Sequence, residues 1–277
     1  EKYTPYLVIL KGTDWNVKID DRYYPIDKND FSFSTEEGKV KFDFAYIGIH
    51  GTPGENGILQ GYLKLLAVPH STCDVFSSSL SFNKHACNSY LKSLGFKVAK
   101  SILLKIDQNY STQAINENLG MPCFVKPNAD GSSFGISKVK KVDELDEAIA
   151  KAFGEGKEVI IEEFIDGLEF TCGLVKTKKE SLVFPVTEVL PKKEFFDYEA
   201  KYDPTMADEI TPARISEELT LQIQNLSSEI YDALKCKGIV RVDYMLRKDE
   251  IFVLEANTIP GMTATSFIPQ QVAAMNI

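Results

Sequence analysis

The chain has 277 residues, 44% of them hydrophobic and 26% charged, a soluble globular balance with room for one domain or for two to three small ones. A formal net charge of -9 argues against nonspecific binding to nucleic acid or an anionic membrane, while leaving room for a local basic site facing a phosphorylated ligand. Five cysteines without a CxxC pair and only three histidines argue against a zinc site and suit reduced thiols, and no apolar run reaches the length of a membrane span, so the expectation is a cytoplasmic protein without membrane insertion.

In chain order, YLVIL at 6–10 predicts a buried strand, and the polar stretch 11–42 predicts surface loops and edge strands. Phe44 to Ile49 predicts a second strand running into the Gly-rich loop HGTPGENG at 50–57. A loop at the C-terminal end of such a strand is a common ligand position in open α/β sheets, although taken alone it is equally a tight connection. Helices are expected over 58–67, Ser81 to Leu94, Thr112 to Asn118 and Asp143 to Phe153. Strands are expected at Val98 to Leu103, within PCFVKP at 122–127, and at Gly135 to Val139, Glu158 to Ile161, Thr171 to Val175 and Leu182 to Val186. Lys126 ends an apolar strand just before NADGSSFGISKV, so it is placed for phosphate rather than for core packing. Backbone N–H groups of a Gly/Ser loop can cradle phosphate oxygens, yet neither GxxxxGK[ST] nor GxGxxG is present. The turn-rich segment 195–215 predicts a mobile loop of lid length. Ser216 is placed to start a long amphipathic helix with Leu219, Ile223, Leu226, Ile230 and Leu234 on one stripe.

The stretch 238–266 carries the densest chemistry. Val240, Val242, Tyr244 and Leu246 alternate with Arg241, Asp243 and Met245. After the Lys248-Asp249 turn, Ile251 to Leu254 predicts a returning strand that ends in Glu255 and Asn257. Asp243, Glu255 and Asn257 bring hard oxygen donors together at one end of a hairpin, which suits magnesium held against phosphates. Local chemistry alone leaves a polar, solvated hairpin face as the alternative.

RVDYML, LEAN and PGMTATS in this stretch resemble the C-terminal half of the D-alanine–D-alanine ligases, a family of ATP-grasp enzymes. HGTPGENG, VKPNADGSSFGISKV at 125–139, EEFIDGLEFT at 162–171 and FFDYEAKY at 195–202 resemble the same family in the same order. The resemblance implies an α/β chain with an ATP-grasp fold and an N-terminal Rossmann-like (pre-ATP-grasp) α/β domain. Its units would run 1–76, 77–170 and 171–277, the last carrying the lid loop and the metal site. It also implies ATP-dependent joining of two D-alanines through an acyl phosphate, with ATP and Mg2+ (or Mn2+ in its place) as cofactors, and a homodimer.

Carried over by position, His50 and Glu55 would line the first D-alanine site. Lys84 and Lys126 would hold phosphates, with Ser132 and Ser133 in the loop closing over them. Glu162, Phe164, Ile165, Glu169, Met245 and Leu254 would bind the adenosine. Asp243, Glu255 and Asn257 would bind the metal. Arg241 and the Gly261 N–H would stabilise the oxyanion, and Ser266 with Lys201 would hold the second substrate's carboxylate. Tyr202 would discriminate between acceptors through a polar network with Ser132, a tyrosine there resembling the dipeptide-forming members and a phenylalanine the ester-forming ones. The family's upstream Gly-Gly-x-Ser-x-Glu segment has no counterpart before YLVIL, and further helices would follow Ser266, so the resemblance implies a chain cut short at both ends. The competing readings are another ATP-grasp carboxylate–amine ligase and a catalytically inactive nucleotide-binding protein.

Overall fold

A computed structural model of the chain describes residues 2–129, 135–191 and 207–276. Strands β1 (Leu7–Lys11), β2 (Asp14–Ile19) and β3 (Arg22–Pro25) form an antiparallel sheet, and β4 (Ser32–Thr35) pairs with β5 (Gly38–Lys41) as a hairpin. Aromatic side chains rather than a central strand make the core here. Tyr6 meets Phe33 edge-on with centroids 5.1 Å apart, Phe33 stacks on Phe42 at 5.6 Å, and Trp15 meets Tyr62 at 5.0 Å. β1 is accordingly half-buried rather than buried, with Leu7 exposed. The expected strand at 44–49 is absent: Ala45 makes one isolated parallel bridge to His70, while Phe44 and Tyr46 point into solvent. With no neighbouring strand to satisfy the rest of its backbone, the segment stays irregular.

The helix expected from Ser81 to Leu94 is two helices, Val75–Phe82 and Lys84–Ser93. They break at Asn83, whose extended backbone lets its side chain cap the second helix by accepting from the Ala86 N–H at 2.9 Å. Two larger sheets follow. The smaller has the order β6 (Ser101–Lys105), β9 (Glu158–Glu163), β7 (Cys123–Pro127), β8 (Ser137–Val139) and is backed by the helix Leu145–Phe153. The larger runs β13 (Ala207–Ile210), β12 (Thr187–Pro191), β10 (Leu168–Lys176), β14 (Ile239–Arg247), β15 (Glu250–Asn257), with β11 (Ser181–Val183) also on β10. β13 occupies part of the expected 195–215 loop, because its edge pairs with β12 from Ala207 onward. The strand expected at 182–186 shortens to the three residues of β11.

The largest core lies on one face of the large sheet. Phe170, Cys172, Leu174, Val240, Val242 and Tyr244 pack there against Ile223, Ile230 and Leu234. These last belong to or immediately follow the helix Glu217–Ala233, which is capped by Ser216 as its sequence predicts. Cys87 and Leu91 join the same core, so the helix Lys84–Ser93 packs on the large sheet although the expected division places it with the central unit. The helix Phe267–Ala274 covers part of the opposite face. Gln271, fully buried, accepts from the Gly173 N–H at 3.0 Å and donates to Thr171 O at 3.1 Å. Gly173 permits that approach, since a Cβ there would collide with Ile268 and lie 2.6 Å from Gln271 Oε1.

Candidate active site

Strand register collects the polar residues. Asp243 on β14 lies opposite Thr171 on β10 and Glu255 on β15. Arg241 lies opposite Gly173 and Asn257, and Met245 opposite Glu169 and Phe252. Opposed residues of antiparallel strands project to the same face, and alternate residues share it. Arg241, Asp243, Met245, Glu169, Glu255 and Asn257 therefore stand on the face turned away from the Phe170–Tyr244 core. The register shifts between Asp243 and Tyr244, where Leu254 is the extra residue on β15; such a bulge bends the ladder beside the carboxylates.

The Asp243 carboxylate is saturated. Its Oδ1 accepts from Thr171 Oγ1 at 2.6 Å and Arg241 Nε at 2.8 Å, and its Oδ2 from Arg241 Nη2 at 2.8 Å and Asn257 Nδ2 at 2.9 Å. The Arg241 and Asp243 side chains are only 13% and 10% exposed. Burial works against the guanidinium charge, and the forked contact with Asp243 overrides it, so Arg241 is held above its ordinary range and stays a cation. Phe267 completes its packing with the ring centroid 5.1 Å from the guanidinium carbon. A Cβ on Gly261 would lie 2.7 Å from Ser266 Oγ, so Ser266, at the start of the helix Phe267–Ala274, stands against the Gly261 backbone.

Across the cleft, Lys126 Nζ meets Glu162 Oε2 at 2.6 Å while Asn88 Nδ2 donates to Glu162 Oε1 at 3.0 Å. Sequence alone places Lys126 for phosphate rather than for packing, yet its side chain is 16% exposed and Glu162's 9%. Burial opposes the ammonium charge, but Glu162, with help from Glu255, more than reverses this and raises the Lys126 pKa. Lys126 is thus both a buried ion-pair partner of Glu162 and a cation within electrostatic reach of Glu255 on the large sheet. Asn128, fully buried, ties it to Lys84. Its backbone carbonyl accepts from the Lys84 N–H at 2.9 Å, its Oδ1 from the His85 N–H at 2.8 Å, and its Nδ2 donates to Glu158 at 2.8 Å.

The remaining predicted residues take up the flanks. Ile165 is buried with Ala99 and Phe252, and Met245 packs on them. The Phe164 ring lies 5.9 Å from Phe124 and beneath Lys138 Nζ at 4.0 Å. His50 Nδ1 lies 3.8 Å from Glu55 Oε1, and Glu55 Oε2 accepts from the Gly51 N–H at 2.6 Å. Glu55 raises the His50 pKa against the opposing effects of partial burial and of the Arg241 charge, which places the HGTPGENG loop beside the Arg241 end of the hairpin. Ser132, Ser133, Lys201 and Tyr202 lie outside the described residues. Asn88, Asn128 and Thr171 were not singled out from sequence. Asn88 sits four residues after Lys84 on one helix face, and Asn128 and Thr171 fall within motifs already noted, so each had a positional signal.

Residues 90–277 match the family model described as the D-ala D-ala ligase C-terminus. A D-alanine–D-alanine ligase of Bacteroides fragilis (strain ATCC 25285) is 54% identical over 279 aligned residues, covering 100% of this chain and 86% of that protein. The chain belongs to the D-alanine–D-alanine ligase family. Another member of the family, the D-alanine–D-alanine ligase of Porphyromonas gingivalis (strain ATCC 33277), is 48% identical over 99% of this chain and 84% of its own length. Among solved structures, the VanG D-Ala:D-Ser ligase from Enterococcus faecalis superposes with a TM-score of 0.85 at 33% identity, covering 95% of this chain and 82% of that one. The Bacillus anthracis D-alanine–D-alanine ligase complexed with ATP gives 0.73 at 31% identity, covering 85% and 75%. The fold is that of the ATP-grasp ligases, with several sheets in a mixed α/β chain. Among the described residues of this family member no helix is long and apolar enough to cross a membrane.

Proposed function

We infer that this chain is an ATP-dependent ligase that joins two D-alanines into D-alanyl-D-alanine for peptidoglycan precursors, releasing ADP and phosphate. The observation that carries this reading is the single sheet face on which a buried, permanently charged Arg241 stands among Asp243, Glu255 and Asn257, opposite the Lys126–Glu162 pair. A carboxylate is a poor electrophile. Transfer of the γ-phosphoryl group to the first D-alanine makes it an acyl phosphate, and the amine of the second D-alanine then displaces phosphate. Lys84 and Lys126, fixed to one another through Asn128, balance phosphate charge. Arg241 and the Gly261 N–H face the carbonyl oxygen as it gains charge, while His50 and Glu55 hold the first substrate. Ser266, with Lys201, holds the second substrate's carboxylate, and Tyr202 and Ser132 close the polar network around it. Glu162, Phe164, Ile165, Glu169, Met245 and Leu254 hold the adenosine, and Ser133 the phosphates. The working form is a homodimer in the cytoplasm.

Asp243, Glu255 and Asn257 fit a hard divalent cation, because all three carry oxygen donors at neighbouring register positions; the Asn257 amide, which now donates to Asp243, has to turn its oxygen inward. Bound Mg2+, or Mn2+ in its place, would neutralise charge on the phosphates. Three protein side chains leave an octahedral shell incomplete. Calorimetric titration should therefore show magnesium binding that is weak alone and strengthened by ADP, with the ADP-dependent part lost in Asp243→Asn and Glu255→Gln. Equal magnesium binding in all three proteins, with and without ADP, would remove these residues from the metal site.

The functional reading is tested by incubating the protein with ATP, magnesium and D-alanine while following ADP, phosphate and dipeptide separately. Equimolar ADP and D-alanyl-D-alanine is the expected result. A different amide, or nucleotide binding without turnover, would overturn it.

A further inference from the structure

Glu209, on the edge strand β13, was not assigned a role from sequence. Register places it in the same transverse row as Val189 of β12, Glu169 of β10 and Met245 of β14, and so on the face that carries Arg241 and Asp243. Its Oε2 accepts from Gln270 Nε2 at 2.6 Å, and the same amide donates to Thr265 O at 2.9 Å, beside Ser266. Arg241 stands close enough to act on Glu209 electrostatically, but its Nε and Nη2 meet Asp243 and, among the described residues, no hydrogen bond or ion pair joins it to Glu209. Among the described residues Glu209 Oε1 has no hydrogen-bond partner, so this half-buried carboxylate holds one amide donor and no ion-pair partner.

A carboxylate in that position is an unfavourable arrangement for the free protein, and burial raises its proton affinity more than Gln270 and Arg241 lower it. A cation arriving at Oε1 would restore the balance. The acceptor in the proposed reaction is a zwitterion whose carboxylate is assigned to Ser266, at the helix end that Gln270 and Thr265 share with Glu209. Its ammonium group lies only two bonds beyond that carboxylate's carbon. We propose that Glu209 binds the ammonium group of the second amino acid and orients it in the acceptor pocket between Arg241 and Ser266. Glu209 thereby makes the pocket a site for amino acids rather than for hydroxy acids. This rests on the ligase reading above.

The test compares Glu209→Gln, Glu209→Asp and Gln270→Ala with the wild-type protein, measuring the KM for acceptor D-alanine, the KM for ATP, kcat and the unfolding midpoint. Glu209→Gln keeps an oxygen acceptor for Gln270 and removes the charge. Its acceptor KM should rise about ten- to hundred-fold, the span expected for a hydrogen bond to a charged group, with the ATP KM unchanged. Glu209→Asp should recover part of that loss. Gln270→Ala removes the tether and keeps the charge, so it should lower the unfolding midpoint and raise the acceptor KM less than Glu209→Gln does. An unchanged acceptor KM in Glu209→Gln, or an equal rise in Gln270→Ala, would overturn the inference and leave Glu209 as a packing contact. Wild-type protein that forms no dipeptide would defeat the ligase reading itself; dipeptide formation with an indifferent Glu209→Gln would defeat only the role of Glu209.

Discussion

Arg241→Ala should cost about 10²–10³-fold in kcat, the loss that follows removal of one donor to a developing oxyanion, and also about 3–5 kcal/mol of stability, because Asp243 is left as a buried charge without its fork. The two effects have different origins and can be separated. Adding Asp243→Asn to Arg241→Ala removes the stranded charge, so denaturant unfolding should recover much of the lost stability. Activity should not recover, since the proposed oxyanion donor is still missing and a proposed metal ligand is now missing as well. In that double variant the amide at position 243 offers its one oxygen to Thr171, and its amino group is met by the Asn257 amide once that turns its own oxygen inward, which keeps the comparison between charges rather than between cavities. Unfolding free energies within about 1 kcal/mol of wild type for the single variant would show that the Arg241–Asp243 contact is worth no more than an exposed pair.

Lys126→Met should be the second large loss. The ammonium neutralises Glu162 where both side chains are nearly sealed from water, so removing it should destabilise the protein by about 3–5 kcal/mol and weaken ATP binding as well. Lys126→Met combined with Glu162→Gln should return most of the stability, because an amide can still meet Asn88 without a buried charge. Nucleotide affinity should stay low in the double variant, which lacks the phosphate-facing cation. A single variant with wild-type stability and reduced ATP binding would make Lys126 a phosphate ligand without a structural role, as a strand-end lysine beside a Gly/Ser loop suggests when only the sequence is read.

That contrast marks how far the sequence could be read. The hairpin was legible because Val240, Val242 and Tyr244 alternate with Arg241, Asp243 and Met245, and period-two patterning determines which side chains share a face. The cap at Ser216 and the stripe through Ile223 and Ile230 were legible for the same local reason. The returning strand was legible too: read from the sequence as ending in Glu255 and Asn257, it spans Glu250–Asn257. The break at Asn83 was missed because the capping bond to Ala86 depends on a backbone turn that periodicity does not encode. Phe44 to Ile49 reads as a strand by composition, but a strand exists only where a neighbour accepts its hydrogen bonds. The Lys126–Glu162 pair and the Glu209–Gln270 contact join residues 36 and 61 positions apart, so they emerge only when the sheets are assembled.

Asn128 carries a mechanical consequence. The helix Lys84–Ser93 is rooted in the core of the large sheet, whereas Asn128 immediately follows β7 of the small one. Three bonds at that single buried residue, to Asn83, Lys84 and His85, therefore fasten the helix to the end of the small sheet. Each of these bonds is made by a residue with no exposed surface, so none of them is open to competition from water. The Lys84 backbone is thereby held at a fixed place beside the end of the strand that carries Lys126.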